Sequence, residues 1–91
     1  MHKIQINLLP QEARENLAKI KLGFMFSHPK DGSIYKNREN LVPDRGTGYY
    51  REYTVPIPDV NNRGLRRLVV GKNAEVYYTE DHYQSFLEVI E

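Results

Sequence analysis

Tyr49-Tyr50-Arg51-Glu52-Tyr53-Thr54-Val55, closed by Pro56 and Pro58, is the stretch on which the fold of this chain turns. Aromatic and β-branched residues suit a pleated, half-buried surface, and a proline ends the run because it has no N–H to give to a ladder. Downstream, strand and turn keep alternating: residues 65–70 form a second strand stopped by Gly71-Lys72-Asn73, 74–78 a third and 85–90 a fourth. Links this short join antiparallel neighbours. Upstream lies one amphipathic helix, residues 10–22. Pro10 suits its first position, Glu12 its positive end, and Lys19 and Lys21 its last turn before Gly23. Ala13, Leu17 and Ile20, spaced i, i+4, i+7, make its apolar face. From 24 to 48 the signals are turns (His28-Pro29, Asp31-Gly32, Val42-Pro43, Gly46-Thr47-Gly48), with Ser33-Ile34-Tyr35 as a short strand among them. The pattern predicts an α+β fold: one N-terminal helix packed on an antiparallel β-sheet of about four to five strands.

A chain of 91 residues makes a single domain spanning 1–91, and one this size buries only roughly 60–65% of the surface its unfolded form exposes. Apolar content of 40% with 11% aromatic residues is globular in character. Seven tyrosines against three phenylalanines and no tryptophan leave ring faces to stack on bases and hydroxyls to meet phosphates. With a net charge of +1, any affinity for phosphate must come from local clustering of cations. The absence of cysteine excludes disulfides, thiolate zinc sites and a cysteine nucleophile. No apolar run approaches the ~20 residues of a membrane helix, so no membrane role is expected. Met1-His2-Lys3-Ile4 is too short for a signal peptide, so any export signal is expected to have been removed, or the domain cut from something larger.

The residues able to do chemistry are few. Period-two alternation places Glu52 on the strand face of Tyr50 and Thr54. Arg63 and Arg67 share parity, with Gly64 able to bend the chain between them, and Arg66 has the opposite parity and is expected to be peripheral. His82 falls in the turn Thr79-Glu80-Asp81-His82-Tyr83, where an exchangeable proton is accessible. A carboxylate, an imidazole and paired guanidiniums are the parts of RNA transesterification. The base takes the 2′-hydroxyl proton, the freed oxygen attacks phosphorus, and the acid protonates the departing 5′-oxygen. Taken singly, each residue also has a plainer reading. Glu52 reads as a solvated or cross-strand-paired charge, His82 as a surface residue, the arginines as a solvated face, and one of Tyr77 and Tyr78 as core.

In order, the motifs Tyr35-Lys36-Asn37-Arg38-Glu39, Tyr50-Arg51-Glu52-Tyr53-Thr54-Val55, Arg63-Gly64-Leu65-Arg66-Arg67 and Tyr78-Thr79-Glu80-Asp81-His82-Tyr83 resemble the bacterial guanyl-specific ribonuclease family, barnase-like and ribonuclease Sa-like. The similarity runs from about Leu9 to Ile90, and four ordered motifs are specific where one is not. The resemblance implies a microbial ribonuclease fold, with Glu52 as general base, His82 as general acid and Arg63 and Arg67 on the scissile phosphate. It places Tyr83 beside phosphate and base. In the loop 35–39, Tyr35 would stack on guanine and the Glu39 carboxylate would accept from its N1–H and exocyclic amine. Backbone amides around Asn37 and Arg38 would donate to its O6. Implied with this are a single-stranded RNA substrate, no cofactor and no metal, a monomer, and secretion or delivery as a toxin. A barstar-like acidic protein inhibitor is the expected partner. Two departures stand out. The disulfide joining the chain ends in ribonuclease Sa-like members has no counterpart here, and Lys36 and Arg51 add positive charge near the motifs. The alternative is a non-catalytic RNA- or nucleotide-binding module on the same scaffold.

Overall fold

The computed structural model describes residues 1–23 and 28–91. Among them the elements are β1 (Lys3–Gln5), a 3-10 turn (Ile6–Leu8), α1 (Gln11–Leu22), β2 (Ser33–Tyr35), β3 (Tyr50–Thr54), β4 (Arg67–Gly71), β5 (Val76–Thr79) and β6 (Leu87–Ile90). The start of the predicted turn-rich segment, residues 24–27, lies outside the described residues. The strands form one sheet in the order β1-β6-β5-β4-β3-β2. Its pairs are antiparallel except the outermost, where β1 runs parallel to β6 with Ile4 opposite Val89.

The α+β architecture agrees with expectation; the sixth strand does not. Lys3–Gln5 has one apolar side chain, Ile4, between two polar ones, with no aromatic and no turn residues to bound it, so its composition does not mark it as a strand. It exists because the sheet edge offered by β6 pairs with it. Pro10 also stands one place earlier than expected, capping the helix in an extended conformation (φ −52°, ψ 146°) before Gln11 opens it. Gly23 ends α1 as predicted, in the left-handed region at φ 77°.

Each sheet face carries its own apolar cluster. On one, Leu9, Ala13 and Leu17 pack against Val55, Leu68, Val76, Tyr78 and Val89. On the other, Tyr35, Val42, Tyr50, Val69, Tyr77 and Phe86 pack together. Tyr77 and Tyr78 therefore both belong to a core, whereas only one was expected to: their side chains alternate across the sheet and each face has a cluster to receive one. The second cluster fills only part of its face. Beyond it, register sets Thr54 opposite Arg67 and Arg67 opposite Thr79, so polar side chains continue the row on which Glu52 stands opposite Val69.

Candidate active site

Glu52 lies in mid-strand on β3, flanked along its own face by Tyr50 in the core and Thr54 at the strand end. One of its carboxylate oxygens accepts a hydrogen bond from the Tyr83 hydroxyl at 3.0 Å, and Arg63 Nη2 lies 3.7 Å from the same oxygen. Base and arginine thus meet as the sequence suggested, but by a different route. The stretch expected as strand from residue 65 becomes strand only at Arg67, and Arg63 reaches the site from a loop. Gly64 makes that loop possible at φ 69°, where a Cβ would lie 2.7 Å from Ile57.

His82 and Tyr83 occupy consecutive left-handed positions, at φ 56° and 71°. Two non-glycine residues in that region are costly unless their surroundings over-determine them. Here Asp81 does so. It accepts from Thr79 Oγ1 at 2.8 Å, from Ser85 N at 3.0 Å and from Ser85 Oγ at 2.5 Å. The Ser85 hydroxyl is the first cause holding its carboxyl below the usual aspartate value. His82 N donates to Leu65 O at 3.0 Å, which ties the turn to the arginine loop. The double kink leaves the imidazole exposed and swings the Tyr83 ring inward. Burial first, then the Glu52 carboxylate, drives the Tyr83 phenol well above its ordinary value, so it stays a donor to that carboxylate.

Tyr83 links the parts. Its ring stacks on Tyr35 at 5.2 Å between centroids and meets His82 edge-on at 4.9 Å, and the Arg67 guanidinium carbon lies 6.0 Å from its centre. A cavity of about 390 Å³ is lined by Tyr35, Asn37, Arg38, Glu39, Glu52, His82 and Tyr83 together with Ile34, Lys36 and Gln84. Both proton-transfer candidates and the whole 35–39 loop therefore face one space. Tyr35 is only 8% exposed and offers one ring face to Tyr83, while burial pushes its phenol up to about 12. Asn37 takes the left-handed region at φ 52°, and its side chain closes the loop by donating to Val42 O at 2.8 Å and accepting from Val42 N at 3.2 Å. That closure leaves Arg38 and Glu39 exposed at the rim.

The arginines divide as parity predicted. Arg66 points to the helix face and pairs with Glu12 at 3.3 Å. Arg67 is 2% exposed; its Nη1 donates to the carbonyls of Gly64 (3.0 Å) and Arg66 (2.7 Å). Arg63 Nη2 and Arg67 Nε are buried donors with no hydrogen-bond acceptor among the described residues. Buried N–H groups are seldom left so, and an anionic oxygen reaching either would satisfy it. Lys36 lines the cavity, whereas Arg51 turns to the carbonyl of Gly32 at 3.2 Å. Among the described residues no three His, Asp or Glu side chains gather as a metal site.

Asn16, Asp31 and Thr54 received no role from the sequence. Asn16, on the buried face of α1, donates to Thr54 O at 2.7 Å, and Asp31 accepts from both the backbone and the hydroxyl of Thr54. Asn16 had left one trace, a polar residue next to Leu17 within the apolar stripe of the helix. All three line a larger cavity of about 680 Å³ together with Arg63.

The family described as ribonuclease matches residues 1–90. Guanyl-specific ribonuclease St of Saccharopolyspora erythraea is 45% identical over 84 residues, covering 92% of this chain and 83% of that protein. Guanyl-specific ribonuclease Sa of Kitasatospora aureofaciens is 42% identical over 82 residues, covering 89% and 85%. Crystal structures of ribonuclease Sa2 superpose closely. The complex with guanosine-2′-cyclophosphate gives a TM-score of 0.94 at 37% identity over 99% of this chain and 96% of the other. A further Sa2 structure, described with mononucleotides, gives 0.97 at 37% identity over 100% and 95%.

Proposed function

From the premise that this chain belongs to the ribonuclease family, we propose the course of its reaction and the residues that carry it. It is a guanyl-specific endoribonuclease that cleaves single-stranded RNA 3′ to guanosine through a 2′,3′-cyclic phosphate. Glu52 takes the proton of the guanosine 2′-hydroxyl, and the oxygen so freed attacks the adjacent phosphorus. His82 gives its proton to the leaving 5′-oxygen. Water then opens the cyclic phosphate with the two groups exchanging roles, each transfer contributing roughly 10²–10⁴-fold. Arg63 and Arg67 hold the charge that grows on the phosphoryl oxygens, using the donors left without acceptors among the described residues. DNA lacks the attacking hydroxyl and is not cleaved.

Guanine binds in the loop 35–39, with the Glu39 carboxylate facing its two adjacent Watson–Crick donors and backbone amides at Asn37 and Arg38 facing O6. Tyr35 and Tyr83 form the aromatic wall. The observation that carries this reading is the single cavity shared by Glu52, His82 and that loop. No metal or cofactor is required by these steps. We take the protein to act as a monomer, secreted or delivered as a toxin. An acidic, barstar-like inhibitor would set carboxylates against the arginines that otherwise meet phosphate.

A guanosine-containing dinucleoside phosphate, incubated with chelator present, tests the reading. A 2′,3′-cyclic product that disappears in His82→Ala is expected; binding without product would assign the chain to the non-catalytic module instead.

A further inference from the structure

We propose that Thr54 and Asp31 are positioning residues for Arg63, acting through a one-way chain of hydrogen bonds that fixes its guanidinium beside the general base. The inference rests on the ribonuclease reading of the site and adds to it a cause for the placing of the phosphate arginine. Asp31 Oδ1 accepts from Thr54 N and from Thr54 Oγ1, each at 2.7 Å. A hydroxyl has one proton, and an ionised carboxylate only accepts, so the Thr54 hydroxyl donates to Asp31 and its oxygen is left as an acceptor. Arg63 Nε, which only donates, lies 2.8 Å from it.

The direction of every link is therefore set by chemistry: Arg63 gives to Thr54, and Thr54 gives to Asp31. Anchoring Nε fixes the plane of the guanidinium, because the group is rigid. The same plane then carries Nη2 to an ion pair with Glu52 at 3.7 Å, where it is buried with no hydrogen-bond acceptor among the described residues. Without the anchor, a long side chain with many rotamers would be held near Glu52, among the described residues, by an ion pair alone.

The anchor is itself well held. Thr54 O accepts from Asn16 Nδ2 of the helix at 2.7 Å, and Thr54 pairs with Arg67 across β3 and β4. Asp31 is joined to the base through the backbone, since Gly32 N donates to Glu52 O at 2.8 Å. Carboxylate, hydroxyl, arginine and base thus share one local frame.

A double-mutant cycle on dinucleoside phosphate cleavage tests the chain. Thr54→Val keeps the shape and removes the hydroxyl. We expect it to lower kcat on the order of tenfold to a hundredfold, as misplacement of a reacting group does, while KM, set by the guanine loop, moves by about threefold or less. Thr54→Ser should restore kcat. In an Arg63→Ala background the same Thr54→Val change should add no more than about twofold, the scatter expected of additivity itself. An undiminished kcat in Thr54→Val, or an equal loss in both backgrounds, overturns the proposal and leaves Thr54 a structural residue. Exchange of the Arg63 Nε–H, followed by NMR in the unmutated protein, reads the anchor without either turnover or a variant that must fold. It should be slower than at the exposed Arg14 and Arg38, and exchange as fast as theirs would equally overturn it. Should the unmutated protein fail to cleave the dinucleotide, the ribonuclease reading falls, and the NMR result still judges the anchor.

Discussion

Replacing His82 by glycine should separate catalysis from stability. His82 holds φ 56°, a region that costs a side-chain-bearing residue ~1–2 kcal/mol and glycine almost nothing. Against that relief stand the larger backbone entropy of an unfolded glycine, ~0.5–1 kcal/mol, and the lost edge contact with Tyr83 at 4.9 Å, worth ~0.5–1.5 kcal/mol. These contributions nearly cancel. For a domain of this size 1 kcal/mol moves Tm by about 4–8 °C, so the melting temperature should stay within a few degrees of the parent. Turnover has no such compensation. Without the proton donor to the leaving oxygen, kcat should fall roughly 10²–10⁴-fold, which is about 3–5 kcal/mol of barrier at 1.36 kcal/mol per decade. The measurements are a thermal melt and cleavage of a guanosine-containing dinucleoside phosphate in the presence of chelator. A variant that melts like the parent and keeps kcat within about tenfold would refute the assignment of His82 as the acid.

Glu39→Gln sets an amide N–H against one of guanine's two adjacent donors, so the guanosine-over-adenosine ratio of kcat/KM should fall by roughly 2–3 kcal/mol, about 30- to 150-fold; an unchanged ratio removes Glu39 from base recognition. The pH–rate profile should be bell-shaped, because Glu52 works without its proton and His82 with it, and a rate still climbing well into the alkaline range would contradict that division of labour. Alkali should unfold the protein through its tyrosines. Burial foremost pushes Tyr35 and Tyr50 up to about 12 and raises Tyr77, Tyr78 and Tyr83 as well. The folded state therefore keeps phenolic protons that the unfolded chain begins to release near pH 10, so their contribution is full below pH 10 and is lost as pH rises towards 12. Tyrosinate absorbance should rise together with the loss of near-ultraviolet circular dichroism, and ionisation of these rings ahead of unfolding would show that they are not buried as described.

Much of the site was legible because its parts occupy local contexts that chemistry recognises. Glu52 stands on an alternating strand, His82 in an acidic turn, and Arg66 and Arg67 on opposite parities, and each keeps the side that this predicts. Arg63 reaches Glu52 through the bend at Gly64, which the sequence offered, rather than along a strand of shared parity. Asp31 and Thr54 were not legible at all. They lie 23 positions apart, and an aspartate before a glycine in one turn and a threonine at a strand end carry no separate sign of each other.

By itself the sequence determined the helix, the strands long enough to alternate, the limits imposed by a chain without cysteine, and the inventory of acid, base and guanidinium groups. These follow from interactions between residues only a few positions apart. Tertiary structure alone decided that β1 would join the sheet, that both Tyr77 and Tyr78 would be buried, and that Tyr83 would turn inward to bridge Tyr35, His82 and Glu52. Those outcomes depend on a sheet edge, on two opposed apolar clusters and on a doubly left-handed turn pinned by Asp81. Contacts of that kind join distant residues and come into being only when the chain has closed on itself.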